Sequence, residues 1–367
     1  MLASHVSAAE WDVGVAGDYE VLFGYGNSDV ATFGEGDFNG FDVKVEGVIG
    51  FEAKVQLDNG IEIGAVVELE PITDDDQIGD SFLFLESSFG RIELGARNSA
   101  GYIMSYAAPD VSLLGANDGQ TGEFIPYDEE AGEVFTGSGL GVGTLNSTFI
   151  ENGENDGAQR FTYFTPRLAG FQLGVSYARD PNNDDNAQVN LSDDPLNNLF
   201  DVGLNFDDSV GDVDVAVSGR WGIASDDSGS GEGNPQIYAF GATIGFAGFT
   251  IGGSFAEQNN AGASDGTSFD AGIAYETGPW AVSFTYLRGE NVDDEVGNPD
   301  TPGNVGQFGN DETLDQFVVG VNYNLAAGVD VGVYGAYIDF DEDTGDAGGR
   351  GDDVDGFIIG TGIAVEF

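Results

Sequence analysis

The sequence predicts an all-β fold, a transmembrane antiparallel β-barrel of sixteen strands. Three observations carry that reading. Side-chain polarity alternates with period two along most of the chain, and connections alternate strictly between short and long. No apolar stretch approaches the roughly 18 residues that a membrane helix needs.

Composition narrows the function first. Lys and Arg total 10 against 65 Asp and Glu, a formal charge of −55 over 367 residues. So few bases cannot displace the counterions of a nucleic acid, and no nucleic-acid partner is expected. The absence of cysteine removes disulfides, thiolate zinc sites and cysteine nucleophiles. The single histidine, His5, sits at the very start, so a Ser-His-Asp triad or a histidine-ligated metal lacks its central residue. Neither an enzyme nor a cofactor is predicted. A hydrophobic fraction of 41% and an aromatic fraction of 12% are too high for a disordered acidic chain.

Residues 11–25 place Trp11, Val13, Val15, Gly17, Tyr19, Val21, Phe23 and Tyr25 on one parity, with Asp12, Gly14, Ala16, Asp18 and Glu20 on the other. That is a long strand with one apolar face. Residues 41–57 repeat the pattern, Asp58-Asn59-Gly60 forms a tight turn, and 61–69 return. The same signature places strands at 80–87, 91–97, 159–165, 171–179, 199–206, 212–224, 236–246, 249–256, 268–276, 280–288, 313–324, 329–340 and 354–367. These form one domain over 9–367. Residues 1–8, where Val6-Ser7-Ala8 resembles the end of a cleavage site, read as a signal-peptide remnant or a frayed terminus.

Seven short connections, at 58–60, 87–90, 166–170, 207–211, 247–248, 277–279 and 325–328, alternate with eight long polar loops. A soluble sandwich has no reason to segregate loop length by side, whereas an outer-membrane barrel has short periplasmic turns and long external loops. A cylinder of sixteen strands is too wide for side chains to fill, so its polar parity lines water and its apolar parity meets lipid. Closure is required, because an open edge in hydrocarbon leaves backbone groups unpaired. Tyr and Trp near the strand ends suit interfacial girdles. The chain therefore reads as a multi-pass protein of the outer membrane, with lipid as its first partner.

Sixteen strands, a very long third loop and the final strand Gly356-Phe357-Ile358-Ile359-Gly360-Thr361-Gly362-Ile363-Ala364-Val365-Glu366-Phe367 resemble the general porins of Gram-negative outer membranes across essentially the whole chain. The resemblance implies a homotrimer and passive diffusion of small hydrophilic solutes and ions. It implies that the third loop, 98–158, folds into the lumen as a constriction, and that Phe367 is read by the outer-membrane assembly machinery. Acidic candidates in the loop are Asp110, Asp118, Glu123, Asp128, Glu129, Glu130 and Glu133. Such porins often carry Pro-Glu-Phe-Gly-Gly there, where this chain has Gly122-Glu123-Phe124-Ile125-Pro126.

The resemblance also implies basic residues on the wall opposite. Lys44, Lys54, Arg97, Arg160 and Arg220 share the lumen parity, and a lipid-facing Arg would cost about 2–4 kcal/mol at the midplane. Arg97 and Arg160, which flank the loop, are favoured; the competing reading pairs each base with a neighbouring carboxylate. The acid excess predicts cation preference. Beside an outer-membrane enzyme, for which the chain lacks a histidine past His5 and any acidic pair among 65 carboxylates could arise by chance, two alternatives compete with a general channel. One is a substrate-selective sugar or oligomer channel, betrayed by saturable block of conductance. The other is a secreted calcium-binding β-roll or adhesin. Asp74-Asp75-Asp76, Asp193-Asp194 and the stretch from Asp339 to Asp355, which includes the β-roll-like Gly348-Gly349-Arg350-Gly351-Asp352-Asp353, carry the oxygens Ca²⁺ favours, but a solvated loop is the better reading.

Overall fold

The computed structural model describes residues 10–28, 39–70, 78–117, 119–125, 145–151, 158–180, 196–226, 233–259, 265–292, 310–344 and 354–367. The proposed leader remnant at 1–8, the candidate calcium loops at 74–76 and 193–194, and the middle of the third candidate, 345–353, lie outside these residues, while that candidate's ends, 339–344 and 354–355, are strand. Sixteen strands run β1 (Asp12–Ser28), β2 (Gly40–Gln56), β3 (Glu62–Leu69), β4 (Ile78–Ser87), β5 (Gly90–Ala96), β6 (Gln159–Phe164), β7 (Phe171–Ala178) and β8 (Leu196–Val210). They continue as β9 (Val213–Asp226), β10 (Gln236–Phe246), β11 (Phe249–Asn259), β12 (Gly266–Thr277), β13 (Trp280–Val292), β14 (Asn310–Ala326), β15 (Val329–Thr344) and β16 (Val354–Glu366).

Each strand pairs antiparallel with its chain neighbours, and β16 closes on β1. The seam ends in two reciprocal bonds of 3.0 Å, from the Gly17 N–H to the Phe367 carbonyl and back. No open edge is left for hydrocarbon to strand. The closed antiparallel sheet also excludes the calcium β-roll.

All sixteen strands fall where the alternation places them; the ends differ. β8 runs over Leu196–Val210 rather than 199–206, and β14 and β15 each extend several residues towards the long-loop side. Acidic residues past the apolar band keep pairing as hairpin arms in water, so polarity marks the membrane band and not the full ladder. β8 also carries an irregularity between Asn197 and Phe200, with Asn198 at φ 50°.

The apolar parity faces outward, with Phe41, Ile359 and Ile251 at 71%, 61% and 59% exposure. Aromatic rings cluster in two girdles. Near the short turns, Trp280 and Tyr323 lie 4.8 Å apart between ring centres, and Phe249 and Tyr275 4.3 Å. Towards the long loops stand Tyr25–Phe41 at 5.0 Å, Phe269–Tyr286 at 5.7 Å and Phe200–Trp221 at 6.1 Å. Among the described residues this face carries charge only beyond the girdles, as where Arg288 pairs with Asp315 at 2.5 Å and Glu290 at 2.9 Å. That is the layout a lipid-facing band requires.

The inner face departs from the sequence expectation in one sector. On β14–β16 and β1, the side chains of Leu314, Val318, Ile338, Phe340, Val354, Ile358 and Leu22 point inward and are buried. They are not wetted, because part of the third loop lies over them.

Candidate functional site: the loop inside the barrel

The described residues between β5 and β6 include a short helix, α1 (Ala100–Ile103), and a 3-10 turn at Gln120–Glu123. Most of these described residues have no ladder of their own, so their backbone N–H groups need partners from elsewhere. The barrel wall supplies them. Ser176 Oγ accepts from the Ala100 N–H (3.2 Å), Asp201 Oδ1 from Gly101 (2.6 Å) and Ser218 Oγ from Tyr106 (2.9 Å). Asp270 Oδ1 accepts from Ala108 (3.1 Å) and Ser283 Oγ from Val111 (3.0 Å).

These acceptors step from β7 through β8, β9 and β12 to β13. The loop runs on the concave side. Between Tyr106, whose carbonyl lies over Gly241 of β10, and Leu113, which packs on Gly332 of β15, the chain reaches at most about 25 Å when fully extended. Five strand spacings of about 4.8 Å already match that reach at the wall itself, so a path over the outside would be too long. The approach is close enough to demand glycine: a methyl group at Gly241 would overlap the Tyr106 carbonyl, and one at Gly320 would meet the Ser112 backbone.

Past the 3-10 turn the loop anchors by burying apolar surface. Thr121 Oγ1 donates to Gln316 Oε1, and Gln120 Nε2 to Glu46 Oε2 at 2.7 Å. Phe124 then packs against Tyr334 and over Gly24, and Ile125 against Gly26 and Gly356. Ile125, standing where the family motif has glycine, becomes an anchor in the apolar sector of the wall. On the way back Leu145 joins the same cluster, Ser268 Oγ donates to the Ser147 carbonyl (2.7 Å), and Thr148 and Ser254 share a hydrogen bond of 2.6 Å.

The acidic candidates divide. Asp110 is tucked against the wall, where its carboxylate accepts from Ser283 Oγ (2.9 Å) and the N–H groups of Ser112 (2.8 Å) and Ala116 (3.3 Å). Burial raises its pKa above the usual carboxylate range. Glu123 is half-buried; burial, and then the charge of Glu46, push its pKa up, while Lys44 opposes. Asp118, Asp128, Glu129, Glu130 and Glu133 lie outside the described residues.

All five basic candidates have acidic or carbonyl partners. Lys44 pairs with Asp42 at 2.8 Å, Lys54 with Glu52 at 2.7 Å, and Arg97 with Glu93 at 2.5 Å and Asp80 at 3.3 Å. Arg160 and Arg220, expected on the open wall, are buried beneath the loop, with side-chain exposures of 3% and 2%. There Arg160 Nε donates to the Arg97 carbonyl at 2.5 Å, and Arg220 Nε to Asp201 Oδ2 at 2.7 Å. The sequence reading had not singled out Arg91. It stacks over Phe84 at 4.2 Å, as Arg97 does over Phe82 at 4.5 Å, and shares Glu93 with it. The run Phe82-Leu83-Phe84-Leu85, apolar on both parities, was the available sign that something covers this inner wall.

Acids also collect at the short-turn rim. Cross-strand register places Asp207, Asp214, Glu276, Asp330, Glu366 and Asp18 on the inner parity from β8 round to β1, and five of the six are exposed, Asp330 less so. No Lys or Arg stands on those stretches of strand. Among the described residues, no group of three acids or histidines is arranged to hold a metal ion.

A family model described as Gram-negative porin matches residues 1–343. An uncharacterised protein of Rickettsia conorii is 22% identical over 298 residues, 63% of this chain and 67% of its own length. Among solved structures, the outer-membrane channel DcaP of Acinetobacter baumannii aligns with a TM-score of 0.62 at 12% identity, covering 98% of this chain and 99% of that one. The anion-selective porin from Comamonas acidovorans aligns at 0.57 and 18%, covering 98% and 100%. OmpT of Vibrio cholerae in trimer form aligns at 0.58 and 13%, covering 97% and 99%. At such identities these structures speak for the fold alone. With the family model spanning nearly the full length and the closed barrel beneath it, the chain belongs to the Gram-negative porin family and resides in the outer membrane.

Proposed function

We propose that this porin passes small hydrophilic solutes and ions by passive diffusion, without a chemical step, prefers cations, and assembles as a homotrimer. The observation that carries the cation preference is the rim on the short-turn side, taken as periplasmic. From β8 round to β1 its inner face presents carboxylates and no base, while the described bases elsewhere on the inner wall are locally paired. Carboxylates ringing a mouth with low-dielectric walls raise the local cation concentration and repel anions. The Comamonas porin shares this architecture and is anion-selective, so side-chain charge and not fold sets the sign.

A sugar-selective channel would want an aromatic track along the inner face. Among the described residues, the aromatics on the inner face of the wall, Phe82, Phe84, Phe164, Tyr334 and Phe340, are all buried, which favours the general channel, while Tyr102, Tyr106 and Phe149 on the loop are half-buried. Planar-bilayer recording under a KCl gradient tests the proposal: the reversal potential takes the cation sign and shrinks as salt rises. An anion-selective reversal potential overturns the preference, and saturable block by a sugar would support the selective channel instead.

A further inference from the structure

Both stems of the internal loop meet one side chain. Arg220, on the inner face of β9, donates through Nη2 to Ser99 Oγ (2.9 Å) on the outgoing stem and to Glu151 Oε2 (2.8 Å) on the returning stem. Nη1 donates to the Ile150 carbonyl, and Nε to Asp201 Oδ2 (2.7 Å) on the neighbouring wall strand. The acceptors are themselves cross-tied. Asp201 also receives the Gly101 N–H at 2.6 Å, and Glu151 receives the N–H of Ser99, 52 residues away, at 2.6 Å. The guanidinium further lies 5.9 Å from the ring centre of Tyr102. A planar fork of five N–H donors can bridge three separate segments at fixed angles, which a lysine ammonium cannot.

We propose that Arg220 is a positioning residue for permeation: by tying both stems to the wall it fixes how far the loop reaches into the lumen, without facing the passage itself. Farther along the outgoing chain Phe124 and Ile125 are held independently, so the clamp sets the stems and the apolar seat sets this segment. Ser176 holds one stem only, at Ala100, and a second cross-tie lies further in, where Asn117 donates to Thr148 Oγ1 on the returning stem (2.8 Å) and to Asp270 Oδ2 on the wall. At the base of the loop, one Arg220 guanidinium contacts the outgoing stem, the returning stem and a neighbouring wall strand.

The inference rests on the channel reading, and single-channel recording of assembled barrels separates the two. A parent protein that conducts nothing sinks the channel reading. Given a conducting parent, Arg220→Met is expected to lose the single open level and show several levels with added noise. Arg220→Lys, which keeps the charge but not the fork, fails to restore it. Ser99→Ala removes one acceptor without uncovering a charge, and is expected to raise open-level noise in barrels of unchanged heat stability; it decides the matter if Arg220→Met does not assemble. Parent-like level and noise in both Arg220→Lys and Ser99→Ala overturn the proposal.

Discussion

Phe124 is the most informative residue to remove. Its ring is 5% exposed and sits between Tyr334 and the bare backbone at Gly24, with Ile125 beside it at 1% exposure. Truncating a buried phenylalanine to alanine costs about 3–5 kcal/mol where the site cannot collapse, and glycine-floored walls have little side chain with which to collapse. Every 1.4 kcal/mol is a factor of ten in population, so Phe124→Ala raises the unseated fraction of this segment by roughly a hundredfold to a few thousandfold. The Arg220 clamp remains, so the loop stays inside and only this stretch comes free. In single-channel traces this appears as frequent transitions between the parent level and a new one, and Phe124→Leu, which keeps most of the volume, suppresses them. Traces of Phe124→Ala/Ile125→Ala that match the parent, from barrels that assemble normally, would refute the reasoning.

Three further outcomes are expected. Because burial raises the pKa of Glu123, its charge is lost as pH falls at values above those of ordinary carboxylates. Cation preference measured by reversal potential should therefore begin to decline early on acidification, and Glu123→Gln should remove that first step. Val319→Arg, on the outward face between the girdles, should cost about 2–4 kcal/mol in lipid-vesicle unfolding, whereas Thr250→Arg on the inner face should leave stability within experimental scatter. Phe367→Ala keeps the backbone bonds to Gly17, so folding into detergent should be little changed, while the yield of assembled barrel in cells should drop if the terminal aromatic is read by the assembly machinery.

The barrel was legible because period two is a local property. Trp11 to Tyr25 and Phe249 to Phe255 each announce a strand and its outward face without reference to the rest of the chain. The extension of β8, β14 and β15 was not, because the added residues 196–198, 207–210, 310–312 and 341–344 are mostly polar on both parities and carry no polarity contrast. The inner apolar sector was half legible. Val318-Val319 and Phe357-Ile358-Ile359 are apolar on both parities, which in a barrel means that the inner side is covered. What covers it could not be read, since Phe124 and Ile125 are a loop pair more than 200 residues from Tyr334 and Gly356, which they meet on the wall. Arg220 was found by parity but its role was not, because its partners come from three segments whose meeting depends on the closed fold.

The wall catches the loop at residues 100, 101, 106, 108 and 111, an irregular spacing that fits only one alignment of the two. A single amino acid inserted after Gly101 would carry every later amide past its oxygen and drive a side chain into Gly241 or Gly320. This stretch, though coiled, thus has a reading frame as strict as that of a strand, and tolerance of length change should end where the chain turns inward.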